Sequence, residues 1–273
     1  MPKVNLKEEA TTQYLNGKKE YSSGNFDEAF LELQNALHFY RNSSENVILA
    51  DIHRILGEIL FNKGNLVESR NQYKRAYQAF KNFGNKIGMA DCYDQVAVSF
   101  MMQDEYQYAE EYQLKAIEIR RSTGDKKGLA RGLKNLAVIA YKKETNEKKA
   151  LGYLEEALDL AQKSKDPQLV INIALDQAKI LNKLGIYEEA MKSFVIVRRF
   201  SKKYSISLPN EHETEFGNLL LNYGLLKYDQ GNLEDALKYL KNAILIFKST
   251  NNSFAESIES TIQKIEQLLN QKQ

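Results

Sequence analysis

The sequence predicts an all-α protein made of stacked antiparallel helix pairs. A turn motif recurs six times at a spacing of about 40 residues, and each copy carries small residues at the same three positions. The 273-residue chain has only 3 Pro and no Trp, with 43% hydrophobic and 27% charged residues, a composition typical of a helical protein with a sizeable core. Because one helix pair cannot bury its apolar face alone, six copies indicate a continuous stack.

Each copy of the motif combines a turn with a polar stretch that ends in a small residue. The first copy reads G-N-F-D-E-A and the last G-N-L-E-D-A. The copies occupy residues 24–29, 64–69, 104–109, 145–150, 185–190 and 231–236, and the spacing widens only before the last one.

Small side chains flank these motifs, one about twelve positions earlier and one seven later. Such residues let two helices approach closely, while larger residues between them fill the space. The set comprises Gly17, Ala29, Ala36; Gly57, Ser69, Ala76; Ala97, Ala109, Ala116; Ala137, Ala150, Ala157; Ala178, Ala190 and a larger Val197; and Gly224, Ala236, Ala243.

These patterns assign the elements in order. We expect a disordered N-terminus over residues 1–8 and six helix pairs within 9–249. The pairs should occupy about 9–41, 46–82, 86–122, 126–164, 167–204 and 213–249, followed by a capping helix and tail over 250–273.

Local signals support several of the expected boundaries. Gly84 and Gly124 suit left-handed helix ends, and Asp166 before Pro167 suits a capped helix start. The glycines at 88, 132 and 152 fall within or at the edge of predicted helices, where each costs about 1 kcal/mol relative to Ala. We therefore expect close packing at all three.

The last helix should cover the end of the stack. Over residues 254–270, Phe254, Ile258, Ile262, Ile265 and Leu269 fall on one side and charged or polar residues on the other. A lone amphipathic helix after the final repeat is typical of a cap.

The repeat resembles the tetratricopeptide repeat. Leu56-Gly57, Tyr223-Gly224 and the turn aromatics Phe26, Tyr106 and Tyr187 carry this resemblance, which covers about residues 10–249. The lengthened unit is similar to those of Pins-type adaptors, rapsyn and kinesin light chains. The resemblance implies a right-handed superhelical solenoid whose first helices line a concave, peptide-binding face. HEAT repeats have a similar period but lack the triplet of small residues.

Composition and motifs argue against several function classes. The net charge of +2 provides no strong field for nucleic acid or a membrane surface. One cysteine, scattered histidines and the absence of phosphate-binding or nucleophile motifs predict a non-enzymatic protein without metal or other cofactor. With no export signal and no long apolar run, we expect a cytoplasmic protein.

Arg131 and Asn135 are the most suggestive surface residues. They lie four positions apart and so share a helix face, and their spacing resembles the Arg and Asn that line the groove of Pins-type adaptors. The candidate groove is acidic in the second and third pairs and basic in the fourth and fifth. Its predicted peptide-binding residues are Arg54, Asp91, Asp94, Arg131, Lys134, Asn135, Tyr141, Lys142, Lys179, Lys183, Asn218 and Asn222.

The leading hypothesis is a protein-interaction adaptor, a monomer or weak homodimer, that binds an extended or helical peptide segment carrying acidic residues. Two alternatives stay open. One is a peptide-sensing regulator that resembles quorum-response repeat proteins, and the other is a structural subunit that assembles through its ends.

Overall fold

The computed structural model describes residues 6–43, 45–144, 146–250 and 254–271, and all regular structure in them is helical. The helices are α1 Leu6–Ser22, α2 Phe26–Tyr40, α3 Asn46–Asn62, α4 Leu66–Asn82, α5 Lys86–Met101, α6 Tyr106–Thr123, α7 Lys126–Glu144, α8 Glu147–Lys163, α9 Pro167–Lys183, α10 Tyr187–Tyr204, α11 Asn210–Asp229, α12 Leu233–Ser249 and α13 Phe254–Asn270.

Consecutive helices pack against each other as antiparallel pairs, which confirms the all-α repeat fold. The pairs α1–α2, α3–α4 and α5–α6 pack in one compact unit, residues 1–153; α9–α10 and α11–α12 pack in another, residues 154–273. Within the units, α4 also packs on α5, α6 on α7, and α12 on α13. The right-handed superhelix stays a prediction.

Every member of the triplets of small residues is buried. A Cβ added to Gly17 would lie 2.6 Å from Cγ of Leu33, and one on Gly224 would lie 2.9 Å from Cγ of Leu240. A larger side chain at either position would therefore push its helix away from its partner.

Most connections between consecutive helices contain one residue with a left-handed backbone conformation. Within pairs, φ is positive at Gly24, Gly64, Asp104, Gly185 and Gly231; between pairs, it is positive at Gly84, Gly124, Lys165 and Ser205. Because glycine adopts this conformation without strain, it occupies most of these turns. Helix starts are capped as expected at Asp166, whose Oδ1 accepts from the Leu169 N–H at 3.0 Å.

The helix α13 lies on α12 in the unit of residues 154–273. Ile258, Ile262 and Ile265 are buried in one core cluster with Leu240 and Phe247. This arrangement is that of a helix covering the apolar face of the last pair.

Three details differ from the expectations. Helix α1 begins at Leu6 although residues up to 8 were expected to be disordered, and α11 begins at Asn210, three residues before the expected 213. Residues 1–5, 44, 145, 251–253 and 272–273 lie outside the described residues. Close packing explains Gly88 and Gly132, but a Cβ on Gly152 would meet no heavy atom within 4 Å, so that expectation was wrong.

Candidate functional site

Helices α3, α5 and α7, together with Tyr73 of α4, line a pocket of about 460 Å³ within residues 1–153, which we call the groove pocket. The repeat period of about 40 residues brings equivalent positions of successive first helices side by side, as it does Arg54, Asp94 and Lys134. The lining residues are Arg54, Glu58, Tyr73, Asp91, Cys92, Asp94, Gln95, Val98, Arg131, Lys134 and Asn135. Six of the predicted binding residues therefore line one pocket: Arg54, Asp91, Asp94, Arg131, Lys134 and Asn135.

Asp91 joins the surface of the groove pocket to the protein interior. Its Oδ1 accepts from Nη2 of Arg120 at 2.7 Å and from Nη2 of Arg131 at 3.2 Å. The side chain of Arg131 is 48% exposed, whereas that of Arg120 is only 1% exposed. Asp91 therefore holds the guanidinium of Arg131 in place, while about half of the Arg131 side chain stays open to solvent.

Arg120 supports the pocket although the sequence analysis did not identify it. Its guanidinium contacts Asp94 and pairs with Oδ2 of Asp125 at 2.5 Å as well as with Asp91. In the two preceding pairs the equivalent positions hold the buried aromatics Tyr40 and Phe80. The replacement of an aromatic residue by arginine at a repeated core position is the signal that could have revealed it.

Asp94 belongs to the protein's internal network more than to its surface. It is buried, and its Oδ1 accepts from Nε2 of Gln113 at 2.6 Å while Arg120 contacts its other oxygen. Burial raises the pKa of Asp94, and the neighbouring arginine and amide oppose that rise. Asp94 is therefore a buried part of the pocket lining, and its carboxylate is already held by Arg120 and Gln113.

Two side-chain amides extend the hydrogen-bond network of Asp94 to Asn135. Nδ2 of Asn135 donates to Oε1 of Gln113 at 3.1 Å, and Nε2 of Gln113 in turn donates to Asp94. This bond fixes the orientation of the Asn135 amide. Among the described residues no group donates to its Oδ1, which remains an available acceptor.

Tyr73 contributes a buried hydroxyl that lacks a hydrogen-bond partner among the described residues. Its ring lies against Gly57, where an added Cβ would be 3.1 Å from Cζ. Burial and the nearby Glu58 and Cys92, which line the same pocket, raise the pKa of this phenol. A buried polar group without a partner costs about 1–3 kcal/mol, a cost that a bound ligand could remove.

Arg54 is held on the opposite side of the pocket by two carboxylates. Its Nη2 lies 2.5 Å from Oδ1 of Asp51, and its Nη1 lies 3.0 Å from Oε1 of Glu58. Asp51 also accepts from the Tyr14 hydroxyl at 2.6 Å and pairs with Lys18 at 2.9 Å. The guanidinium is therefore a fixed element of the wall.

The remaining predicted residues do not line the groove pocket. Tyr141 is half-buried and Lys142 exposed near the end of α7. In the unit of residues 154–273, Nδ2 of Asn222 donates to Oδ1 of Asn182 at 3.0 Å, and Lys179 pairs with Glu215 at 3.5 Å. Asn218 is half-buried and Lys183 exposed.

The described residues contain no group of three or more His, Cys, Asp or Glu side chains placed to hold a metal ion. None of the helices they form combines the length and apolar character needed to cross a membrane.

Comparisons with known proteins agree with the repeat architecture. Residues 48–122 and 88–163 match the model of the tetratricopeptide repeat, and residues 187–255 match that of anaphase-promoting complex subunit 5. A search of curated proteins found no match.

Solved structures with this fold include three that match almost the entire chain. The apo form of RapI has a TM-score of 0.69 at 17% identity, covering 96% of this chain and 99% of that chain. PilF of Pseudomonas aeruginosa has a TM-score of 0.64 at 16% identity, covering 94% and 99%. The Rap conjugation gene regulator of plasmid pLS20, in complex with the Phr* peptide, has a TM-score of 0.59 at 15% identity, covering 95% and 74%.

At these identities the structural matches establish the fold. The repeat model on residues 48–163 and the paired helices of both units agree with that fold. The chain therefore has the fold of tetratricopeptide repeat proteins, and residues 48–163 match the tetratricopeptide repeat itself.

Proposed function

We propose that this protein is a non-enzymatic adaptor that binds an extended peptide segment in the groove pocket. The observation that carries the proposal is a set of polar groups with unused hydrogen-bonding capacity that line the groove pocket, two of them at its surface and one, the Tyr73 hydroxyl, buried in its wall. Arg131 is half-exposed, Asn135 presents a fixed acceptor and the Tyr73 hydroxyl lacks a partner among the described residues.

An extended peptide offers what these groups need. Its backbone N–H can donate to Oδ1 of Asn135, and its carbonyl oxygens can accept from arginine or tyrosine. An acidic side chain of the peptide can pair with Arg131, because a guanidinium has five N–H donors and, among the described residues, its hydrogen bond is to Asp91 alone. Lys134, three residues further along α7 and so about one helical turn from Arg131, adds positive charge.

A second candidate function is that of a peptide-sensing regulator. The pLS20 regulator of the same fold was solved in complex with a peptide, and its match covers 95% of this chain. In this case the peptide would alter the relative packing of helix pairs, which small-angle X-ray scattering with and without peptide would detect. An adaptor would bind with an unchanged scattering profile.

The adaptor proposal can be tested with peptides selected from a random library for binding to the intact protein. A phage-displayed library of linear random peptides is selected on the intact chain, and the enriched peptides are titrated by fluorescence anisotropy. We expect acidic residues among them and a Kd at least tenfold higher for Arg131→Glu with Lys134→Glu, equivalent to about 1.4 kcal/mol or more.

The matched control is Lys81→Glu with Lys86→Glu, which makes the same charge change at exposed positions outside the groove pocket. It should bind like the unmodified chain at moderate salt. Equal affinity of both double variants for every selected peptide would contradict the groove assignment.

A further inference from the structure

A second concavity lies on another side of the same helices and is larger than the groove pocket, at about 540 Å³. It opens between α3, α4, α5 and α6, and we call it the tyrosine pocket. Its lining residues are Leu49, His53, Tyr73, Lys74, Arg75, Tyr77, Gln78, Ala79, Asn82, Cys92, Tyr93, Val96, Tyr112 and Lys115. Its size falls within the range of pockets that bind small molecules.

Three tyrosines form one aromatic wall of this pocket. The ring centroids of Tyr77 and Tyr93 are 4.6 Å apart with an interplanar angle of 34°, and those of Tyr93 and Tyr112 are 5.8 Å apart. Leu49 and Val96 contribute aliphatic surface. A flat apolar body could pack on these rings with the offset geometry that aromatic groups favour.

The charge of the lining is one-sided. Lys74, Arg75 and Lys115 are basic, and no aspartate or glutamate is among the lining residues. Lys115 lies 4.9 Å from the centroid of Tyr112 and pairs with the exposed Glu111 at 2.6 Å. Lys74 and Arg75 are exposed and form no ion pair within the described part of the chain. The mouth is therefore electrostatically complementary to an anion.

The tyrosine pocket is separate from the groove pocket but shares a wall with it. Tyr73 and Cys92 line both, and both side chains are buried. The tyrosine pocket receives Tyr77 and Lys74 from α4 and Tyr112 and Lys115 from α6, whereas the groove pocket is lined mainly by first helices. A ligand in one would therefore not obstruct the other.

We propose that the tyrosine pocket binds a small aromatic anion, with its flat body on Tyr77, Tyr93 and Tyr112 and its negative charge at Lys74, Arg75 and Lys115. Neither the repeat fold nor peptide binding in the groove requires such a site. The aromatic wall selects a planar body, and the three cations select a carboxylate, phosphate or sulfonate on it.

The probe is 8-anilinonaphthalene-1-sulfonate, an aromatic sulfonate whose fluorescence rises in apolar surroundings. Titrated into the intact folded chain, it should bind saturably at one site. Replacing Lys74, Arg75 and Lys115 together by glutamine should raise its Kd at least tenfold. The uncharged analogue N-phenyl-1-naphthylamine should bind the unmodified chain at least tenfold more weakly than the sulfonate.

Three controls locate the site. Changing Lys81, Lys86 and Lys126 to glutamine removes the same charge at exposed positions outside the pocket and should leave the Kd unchanged. Arg131→Glu with Lys134→Glu should also leave it unchanged, which separates this site from the groove. Circular dichroism melting verifies that each variant is folded, since partly unfolded chains also bind the dye.

Gln78→Glu provides an independent test, because it adds a negative charge to an exposed lining residue with almost no change in shape. It should weaken sulfonate binding severalfold and leave the naphthylamine unaffected. Absence of saturable binding to the folded chain would overturn the proposal. The proposal would also be overturned if the sulfonate bound with equal affinity to the unmodified chain, to the variant with glutamine at positions 74, 75 and 115, and to Gln78→Glu.

Discussion

The guanidinium of Arg120 occupies the space that a side chain on Gly128 would need: a Cβ built on Gly128 would overlap its Nη1. Gly128 lies at the start of α7, and its N–H donates to Oδ1 of Asp125 at 2.9 Å. The other oxygen of Asp125 accepts from Arg120. The absence of a side chain on Gly128 thus leaves room for the buried Arg120, and Asp125 links Arg120 of α6 to the first turn of α7.

Gly128→Ala should destabilise the protein by about 1–3 kcal/mol, because the new methyl group must displace a buried charge or separate the two helices. The matched control is Gly152→Ala, an exposed helical position where a Cβ meets nothing within 4 Å. That change should stabilise the protein by about 0.5–1 kcal/mol, since alanine favours the helix. Urea unfolding followed by circular dichroism measures both, and equal effects of the two changes would contradict this description.

Arg120→Met should cost about 3–5 kcal/mol, because it leaves the buried Asp94 without its cationic partner. Adding Asp94→Asn removes the uncompensated charge, so the double variant should be more stable than Arg120→Met alone. A double-mutant cycle from urea unfolding curves measures this coupling. Strictly additive effects would indicate that the pair does not interact.

The unpartnered hydroxyl of Tyr73 predicts that Tyr73→Phe stabilises the free protein by about 1 kcal/mol. Tyr40→Phe is the control, because the buried Tyr40 hydroxyl lies 2.8 Å from Oγ1 of Thr11 and its loss should cost about 1 kcal/mol. If Tyr73 contacts a peptide, Tyr73→Phe should also weaken peptide binding. Thermal melting and anisotropy titration separate the two effects, and a destabilised Tyr73→Phe would be inconsistent with an unpartnered hydroxyl.

His53 predicts a pH dependence of stability. Burial lowers the pKa of this histidine, and Arg75 and Arg41 add to the lowering, although Gln72, whose Oε1 lies 2.7 Å from Nδ1, opposes it. Below about pH 6.5 the unfolded chain binds a proton at this residue more readily than the folded chain does, so the free energy of unfolding should fall with falling pH.

The contribution of His53 is obtained as a difference from His53→Gln. Between pH 7.5 and 5.5 the melting temperature of the unmodified chain should decrease more than that of the variant. Parallel curves would show that His53 does not titrate differently in the folded and unfolded states.

The fold was predictable because its signals are local and repeated. The small residues at Gly57, Ser69 and Ala76 have equivalents in the other copies, so their burial could be inferred from spacing alone. The repeat spacing places Arg120 at a core position, but its partners could not be assigned in this way, because they are acids of α5 and of the residue before α7. Asp94 has the spacing of a groove residue, yet its partners hold it inside; only the tertiary structure shows this difference.

The most direct test of the proposed adaptor function is site-specific photo-crosslinking of a selected, labelled peptide. Benzoylphenylalanine replaces Val98, which lines the groove pocket, or Leu114, which is exposed on α6. We predict an ultraviolet-dependent, peptide-saturable crosslink from position 98 and none from position 114. A crosslink from position 114 alone, or from neither position with a peptide that binds the chain, would contradict binding in the groove.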